Sequence, residues 1–257
     1  LGNEYNGNII FDELTNGGEI RLGNAEGSGT HDGLLSINFN NAGDDGTVTI
    51  RGLTQETSSG SGTNALNGGS DIVFNIENSS FEDALTVTSY SMDIDNNVFD
   101  GAVTVTLEAG STGSNTLSGG NEFNGTTTIN HDGDGSFVWA GSVEDDFNAD
   151  VVVNLDGGGT LRLANGGSNP STFASDLEVN ITSTSGAVFR FADGSGSAEI
   201  DGNLSISVSG SSDNDVLLTN TGNSIVLNGD FITECTSCDR FEINGGTFTL
   251  NSPGEWS

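Results

Sequence analysis

The feature that most constrains this chain is a repeat of 26 residues, seen most clearly between Phe147 and Asp193 (173 − 147 = 26). Each copy begins with a Phe, Phe147 and then Phe173, and continues with apolar residues at every second position. A turn rich in Gly, Ser and Asp follows, and then a second short strand, Leu161–Leu163 or Phe189–Phe191. Alternation with a period of two indicates β-strands with one buried face. Because the pattern recurs at a fixed spacing, it predicts stacked structural repeats.

Equivalent starting residues, which we call corner residues, recur along the chain. They are Tyr5, His31, Phe81, Phe99, Phe123, Phe147, Phe173, Ile200 and Leu227. The interval of 50 residues between His31 and Phe81 equals two repeats of 25. The sequence therefore predicts an all-β fold, a parallel β-helix (β-solenoid) of about ten rungs with 24–27 residues each, coiled in the right-handed sense.

The whole chain, 1–257, is predicted to be a single β-solenoid domain, and we expect it to be a segment of a longer repetitive protein. The range 53–66 shows no alternation, so it is predicted to be an irregular loop or a degenerate rung. An antiparallel sandwich or barrel also has short strands and Gly-rich turns, and the fixed period favours the solenoid over it. In the Phe-x-Gly motif, as in Phe123-Asn124-Gly125, we expect the glycine to provide a positive φ at the corner.

The charge balance excludes several partners. The chain has 37 acidic residues, no Lys and five Arg, and its net charge is −32. Nucleic acids and anionic membranes are polyanions and would be repelled. No apolar run approaches the length of a membrane span. Such acidity suits a protein in salt-rich water outside the cell, where ions screen its self-repulsion, so we expect an extracellular or cell-surface location.

Aspartates in the turns are the candidate metal ligands. Asp132, Asp134 and Asp156 fall in the first turn of neighbouring rungs. Calcium takes six to eight oxygen ligands, which Asp-rich turns can supply. The competing interpretation, which we favour, is that these are solvated carboxylates. Calcium is thus the one candidate cofactor, and none is required.

The two cysteines, Cys235 and Cys238, form a single Cys-x-x-Cys pair. One such pair cannot fill a tetrahedral zinc site alone. We predict a disulfide that closes a small turn, in keeping with an oxidising compartment. A free or redox-active pair is the alternative, although the helical context that lowers a thiol pKa is missing.

No set of residues predicts a catalytic centre, so we expect that the chain is not an enzyme. His31 replaces a corner residue and His131 is expected in a turn. Arg162 and Arg190 should point outward in adjacent rungs, either as an anion-binding stripe or, as we favour, paired with acidic neighbours. Outward threonines such as Thr104 could form an ice-binding ladder, but Thr is ordinary on an exposed strand.

The recurring unit resembles the repeats of very large bacterial surface proteins exported by type IX secretion. Those repeats carry Phe-Asn-Gly and a hydrophobic strand, then a hydrophobic-x-Leu-Ala-x-Asn segment and the next Phe. The matching segments here are Phe123-Asn124-Gly125, Phe147-Asn148-Ala149, Leu161-Arg162-Leu163-Ala164-Asn165 and Phe173 to Ala192. The resemblance implies a role in adhesins, gliding filaments or attachment appendages, and it offers no catalytic residues.

The expected function is therefore a structural repeat segment of an extracellular bacterial adhesive or filamentous surface appendage, for cell attachment, gliding or surface contact. Its expected partners are cell-surface, glycan or protein targets, or further copies in a filament or homo-oligomer, with no nucleic acid and no membrane span. A carbohydrate-active β-helix enzyme is one alternative, and it would need a positioned carboxylate pair. A phage or virus fibre shaft, built from intertwined trimers, is the other.

Overall fold

A computed structural model of the chain describes residues 4–12, 17–23, 29–39, 44–57, 62–69, 72–111 and 114–252. These residues form 31 β-strands and no helix, so the described part holds no helix that could cross a membrane. The strands pair in parallel and are arranged as a β-solenoid, which confirms the predicted fold class. Each rung contributes three strands, so 31 strands make ten rungs and the first strand of another (3 × 10 + 1 = 31).

The first sheet has eleven strands, stacked in chain order. They are β1 (Glu4–Asn6), β4 (Gly29–Asp32), β7 (Leu53–Glu56), β10 (Ser80–Phe81), β13 (Val98–Phe99), β16 (Glu122–Phe123), β19 (Asp146–Phe147), β22 (Pro170–Phe173), β25 (Ser197–Ile200), β28 (Ser224–Leu227) and β31 (Thr247–Leu250). This sheet contains the corner residues. Several of its strands are two residues long, too short for alternation to reveal them, and the sequence therefore predicted only two strands in each rung.

The second sheet has ten strands, also in chain order. They are β2 (Ile9–Phe11), β5 (Leu35–Asn38), β8 (Thr63–Asn67), β11 (Ala84–Ser89), β14 (Val103–Leu107), β17 (Thr127–His131), β20 (Val151–Leu155), β23 (Leu177–Ile181), β26 (Leu204–Val208) and β29 (Phe231–Cys235). Buried and half-buried residues alternate strictly in β14, β17 and β20, so one face packs into the core and the other faces outward.

The third side of the solenoid is divided into two sheets. The first contains β3 (Gly18–Gly23), β6 (Gly46–Arg51), β9 (Ile72–Glu77) and β12 (Ser91–Asp95). The second contains β15 (Ser114–Thr116), β18 (Ser136–Val138), β21 (Thr160–Leu163), β24 (Val188–Phe191), β27 (Asp215–Leu218) and β30 (Arg240–Ile243). Among the described residues, one backbone bridge, between Asp95 and Gly119, links the two sheets, and side-chain hydrogen bonds such as that from Met92 N to Asn115 Oδ1 add to it.

The corner residues lie directly above one another. The register pairs Tyr5 with His31, Phe99 with Phe123, and Phe173 with Ile200. Gln55 is the corner residue between His31 and Phe81. Successive intervals from Tyr5 to Leu250 are therefore 26, 24, 26, 18, 24, 24, 26, 27, 27 and 23 residues.

Polar residues in the core explain why 53–66 lacks a recognisable pattern. Its described residues include β7 and β8, which pair in register with their neighbours. Gln55 and Asn64 occupy inward positions and are fully buried. Gln55 Nε2 donates to the Gly33 carbonyl oxygen at 3.1 Å and to Asp83 Oδ2 at 2.9 Å, while its Oε1 accepts from Asn64 Nδ2 at 3.2 Å. Hydrogen bonds thus replace the apolar contacts on which the sequence pattern depends.

Five phenylalanine rings form a continuous stack inside the central corner. Ring centroids from Phe81 through Phe99, Phe123 and Phe147 to Phe173 are separated by 5.6, 5.1, 4.8 and 4.8 Å, with interplanar angles of 5–16°. All five side chains are buried. Stacked aromatic pairs of this kind add about 0.5–1.5 kcal/mol each to the burial of their area.

The Phe-x-Gly glycines are required for a different reason from the one expected. In the equivalent segment Tyr5-Asn6-Gly7 the glycine has a positive φ of 93°, but in Phe99-Asp100-Gly101 and Phe123-Asn124-Gly125 the glycine does not have a positive φ. A Cβ on Gly125 would lie 2.4 Å from the carbonyl oxygen of Gly101, and one on Gly101 would lie 2.4 Å from the carbonyl carbon of Asp83. The expectation of positive φ is wrong for these two, where glycine permits close approach between the backbones of adjacent rungs.

Candidate functional site

The aspartates proposed as calcium ligands lie along one edge of the second sheet. Asp132 and Asp156 follow the paired residues His131 and Leu155, so they occupy the same position in adjacent rungs. Glu108 precedes them in the same column. Burial raises the pKa of Asp132, and the negative charge of Asp156 raises it further. Burial, and then the charge of Asp132, also raise the pKa of Glu108, so this column holds carboxylates that repel one another.

Two of these aspartates bond to the next rung. Asp134 Oδ1 accepts a hydrogen bond from the backbone nitrogen of Gly158 at 3.0 Å, and Asp156 Oδ1 accepts one from the hydroxyl of Thr182. In the part of the chain that the structure describes, no group of three or more His, Cys, Asp or Glu is arranged to hold a metal ion. Calcium at Asp132, Asp134 and Asp156 therefore stays a prediction from sequence alone.

Cys235 and Cys238 form a disulfide with their Cα atoms 6.1 Å apart. Cys235 is the last residue of β29, and the bond closes the turn between β29 and β30. The last rung is more exposed than the inner rungs, because β29 and β30 have a neighbour on one side only. The disulfide thus lies at one end of the described stack, where the strands have fewer stacking partners than in the middle.

The five arginines are all paired with carboxylates. Arg162 Nη1 and Arg190 Nη1 each lie 3.0 Å from Oδ2 of Asp193, which is buried. The other three pair with acidic residues: Arg21 with Glu19, Arg51 with Glu77, and Arg240 with Asp215. The guanidinium groups of adjacent rungs therefore share an internal carboxylate, as the favoured sequence interpretation expected.

Both histidines are core residues. His31 is fully buried at its corner, and His131 is the last inward residue of β17. The expectation that His131 lies in a turn is wrong. Its Nε2 lies 3.2 Å from the carbonyl oxygen of Gly135, and burial lowers its pKa. Neither ring is exposed to a substrate in solution.

A buried polar ladder lies two residues before the corner residues and was missed by the sequence analysis. It consists of Ser79, Asn97, Asn121, Asp145 and Ser171, all buried. Asn97 accepts from the backbone nitrogen of Ser79 at 2.9 Å, and Asn121 accepts from that of Asn97 at 3.0 Å. A polar residue at the same distance before each Phe is the signal that could have revealed this ladder.

Asp145 is the one acidic member of this ladder. Its Oδ1 accepts from the backbone nitrogen of Asn121 at 2.8 Å and from Asn121 Nδ2 at 3.1 Å. Its Oδ2 is buried and has no hydrogen-bond partner. Burial raises the pKa of Asp145 to about 7, and the charges of Asp146 and Asp95 add to the shift. The interior therefore contains a carboxyl group that changes charge near neutral pH.

The outer face of the second sheet carries a band of uncharged side chains. We call it the neutral strip; its members, two on each of β5, β8, β11, β14, β17 and β20, are Ser36, Asn38, Ala65, Asn67, Thr86, Thr88, Thr104, Thr106, Thr128, Asn130, Val152 and Asn154. All are half-buried or exposed. None is charged, although the chain has 37 acidic residues.

Hydrogen bonds between rungs fix part of this strip. Asn67 Nδ2 donates to Asn38 Oδ1 at 3.1 Å. Asn130 Nδ2 donates to the Thr106 hydroxyl at 3.1 Å, and Asn154 Nδ2 donates to Asn130 Oδ1 at 2.9 Å. The strip is therefore an ordered array of hydroxyl and amide groups that repeats with the strand spacing, about 4.8 Å.

Comparison of the chain with protein-family models, with curated proteins and with solved structures gives no match in any of the three.

Proposed function

We propose that this chain is a structural repeat segment of an extracellular bacterial adhesive or filamentous surface appendage. Its role is mechanical: a rod that holds outward-facing surfaces at a distance and makes contact through them. Ten intervals between the eleven stacked strands give a rod of about 48 Å at about 4.8 Å per rung.

The observation that carries this proposal is the uninterrupted stacking of corner residues and their ladders along the rod. The phenylalanine stack and the buried polar ladder both cross several rungs without a break. In a stacked fold, each rung contacts its neighbours, so stability is distributed along the axis. Such a rod resists bending and holds its outward faces at fixed distances along the axis, which suits a surface appendage.

An adhesion measurement under flow tests the proposal. Beads coated with the full chain would be placed on bacterial cells, on glycan-coated glass and on protein-coated glass. We expect the beads to resist detachment at shear that removes beads coated with the heat-unfolded chain. Equal detachment of the two bead types from every surface would refute the proposal.

Two further measurements address the other classes of function. Turnover of any member of a panel of neutral glycans would replace the proposal with a carbohydrate-active enzyme. A native mass equal to three chains would favour an intertwined fibre shaft. Under the proposal, neither turnover nor an obligate trimer is expected.

A further inference from the structure

We propose that the neutral strip binds an uncharged, unbranched polysaccharide chain lying along the axis of the solenoid. This inference rests on the proposed adhesive function, for which it names the partner class and the surface.

The negative charges around the neutral strip favour an uncharged partner. Carboxylates border the strip at both ends of its strands: Glu108, Asp132 and Asp156 follow β14, β17 and β20, and Asp150 immediately precedes β20. A polyanion laid on the strip would approach both borders at close range and be repelled. An uncharged polymer avoids this cost and meets only hydroxyl, amide and methyl groups.

The dimensions favour a single polymer chain over a second copy of the protein. The two outward residues of each strand lie about 7 Å apart, and six strands span about 24 Å at about 4.8 Å each. The strip therefore covers a few hundred Å², well below the roughly 800 Å² that each partner buries in a stable protein interface. A second copy would have to bring its own acidic residues against the carboxylate borders, whereas a narrow polymer would not.

The two columns of the strip match the two kinds of surface on a sugar ring. One column is rich in methyl groups, with Ala65, Thr86, Thr104, Thr128 and Val152. The other carries amides and hydroxyls, with Asn67, Thr88, Thr106, Asn130 and Asn154. Sugar rings expose C–H groups on their faces and hydroxyls at their edges, so each column has a counterpart.

The amide groups are also held in place before binding. Each Asn amide nitrogen has two N–H groups, and the bond from Asn154 to Asn130 uses one of them, which leaves the other to donate to a sugar hydroxyl. Side chains that are already ordered lose less entropy when the ligand binds. The repeat of the strip along the axis lets neighbouring sugars make equivalent contacts.

Co-sedimentation with insoluble polysaccharides tests this inference. The full chain would be mixed with insoluble cellulose, chitin and mannan, and with insoluble cross-linked carboxymethyl cellulose as an acidic polymer, at fixed salt. We expect depletion of the protein by at least one neutral polymer and none by the carboxymethyl cellulose.

A matched pair of variants locates the site. Thr128→Glu places a charge in the middle of the strip; the chain already accommodates a glutamate in this column, because Glu178 pairs with Val152. Thr160→Glu makes the same change at a half-buried position of β21 on the third side. Because a buried unpaired charge is costly, we expect Thr128→Glu to weaken binding at least about tenfold and Thr160→Glu to change it less than about twofold.

The outcomes separate the possibilities. Absence of binding to every neutral polymer, or equal effects of the two variants, would overturn the inference. A dimer that Thr128→Glu dissociates, or arrest of ice growth without polysaccharide binding, would assign the strip to another partner and also overturn it. If the coated beads still adhere to cells while no polysaccharide binds, the proposed adhesive function survives and only this inference fails.

Discussion

Replacement of Asp145 by asparagine should remove a large pH dependence from the stability of the solenoid. Asp145 lies between Asn121 and Ser171 in the buried ladder, and its pKa is raised to about 7 by burial. In the unfolded chain the carboxyl returns to its ordinary value of 3.8. Between these pH values the native state binds the proton that the unfolded state releases, so the free energy of unfolding falls as pH rises through this range and levels off above about pH 8.

The magnitude follows from the shift. The full difference, 7 − 3.8 = 3.2, corresponds to about 4 kcal/mol at about 1.36 kcal/mol for each pH unit. At pH 5 the chain is two units below the raised pKa, so this group makes wild-type protein about 3 kcal/mol more stable at pH 5 than at pH 8.5. Asp145→Asn has no such proton to lose. The difference in the free energy of unfolding, variant minus wild type, should therefore be about 3 kcal/mol more positive at pH 8.5 than at pH 5.

Urea denaturation at pH 5 and pH 8.5 measures this difference. The control is Asp213→Asn, which removes the same charge from an exposed residue that is not among the groups that raise the pKa of Asp145. Other carboxylates contribute to the pH dependence of wild type and of both variants, so the comparison of Asp145→Asn with Asp213→Asn isolates the buried group. If the two variants show the same change between the two pH values, Asp145 does not titrate as a buried ladder member and the reasoning is refuted.

Three further predictions concern the stability of the rungs. Phe123→Ala should lower the free energy of unfolding by about 3–5 kcal/mol, measured by urea denaturation, because it opens a cavity in the middle of the aromatic stack; a loss below about 1 kcal/mol would contradict that role. Gly125→Ala should lower the free energy of unfolding by about 1–3 kcal/mol in the same measurement. Ala149→Gly changes the same position of the next rung and should lower it by less than about 1 kcal/mol. Equal effects of the two variants would argue against a close approach of the backbones at Gly125. Joint replacement of Cys235 and Cys238 by serine should destabilise the last rung by up to about 2 kcal/mol, because the bond closes only a small loop. Amide hydrogen exchange should then accelerate in 231–250 and stay unchanged in 147–208. A uniform acceleration would contradict a local role of the disulfide.

The corner residues were predictable because the physics that selects them is local. A Phe that heads an alternating strand, as Phe123 and Phe147 do, reports both the period and the register of the fold. Gln55 could not be found in this way, since a buried amide is distinguished from an exposed one only by its partners, and these lie in other rungs. Two-residue strands such as β16 also could not be predicted from the sequence, because they become strands only when a neighbouring rung supplies the hydrogen bonds.

The candidate functional groups were harder to predict than the fold. The sequence indicated outward threonines, but the neutral strip depends on which rungs place Asn130 and Thr106 side by side. Asp145 looks like any turn aspartate in the sequence, and only burial by the stacked rungs changes its pKa. The burial and the protonation state of a single polar residue depend on the rungs stacked against it. The sequence pattern along one strand therefore does not predict them.

The divided third side has a mechanical consequence. The rung that contains β12 and the rung that contains β15 are joined by ladders on two sides. On the third side, the described residues provide one backbone bridge and a few side-chain hydrogen bonds, such as that from Met92 N to Asn115 Oδ1. Fewer backbone pairs join these two rungs than join any other two neighbouring full rungs among the described residues. A pulling force along the axis should therefore separate the stack between these two rungs first. The residues before Asp95 and those after Val98 would then unravel as two separate blocks, and the molecule would extend in two stages under tension.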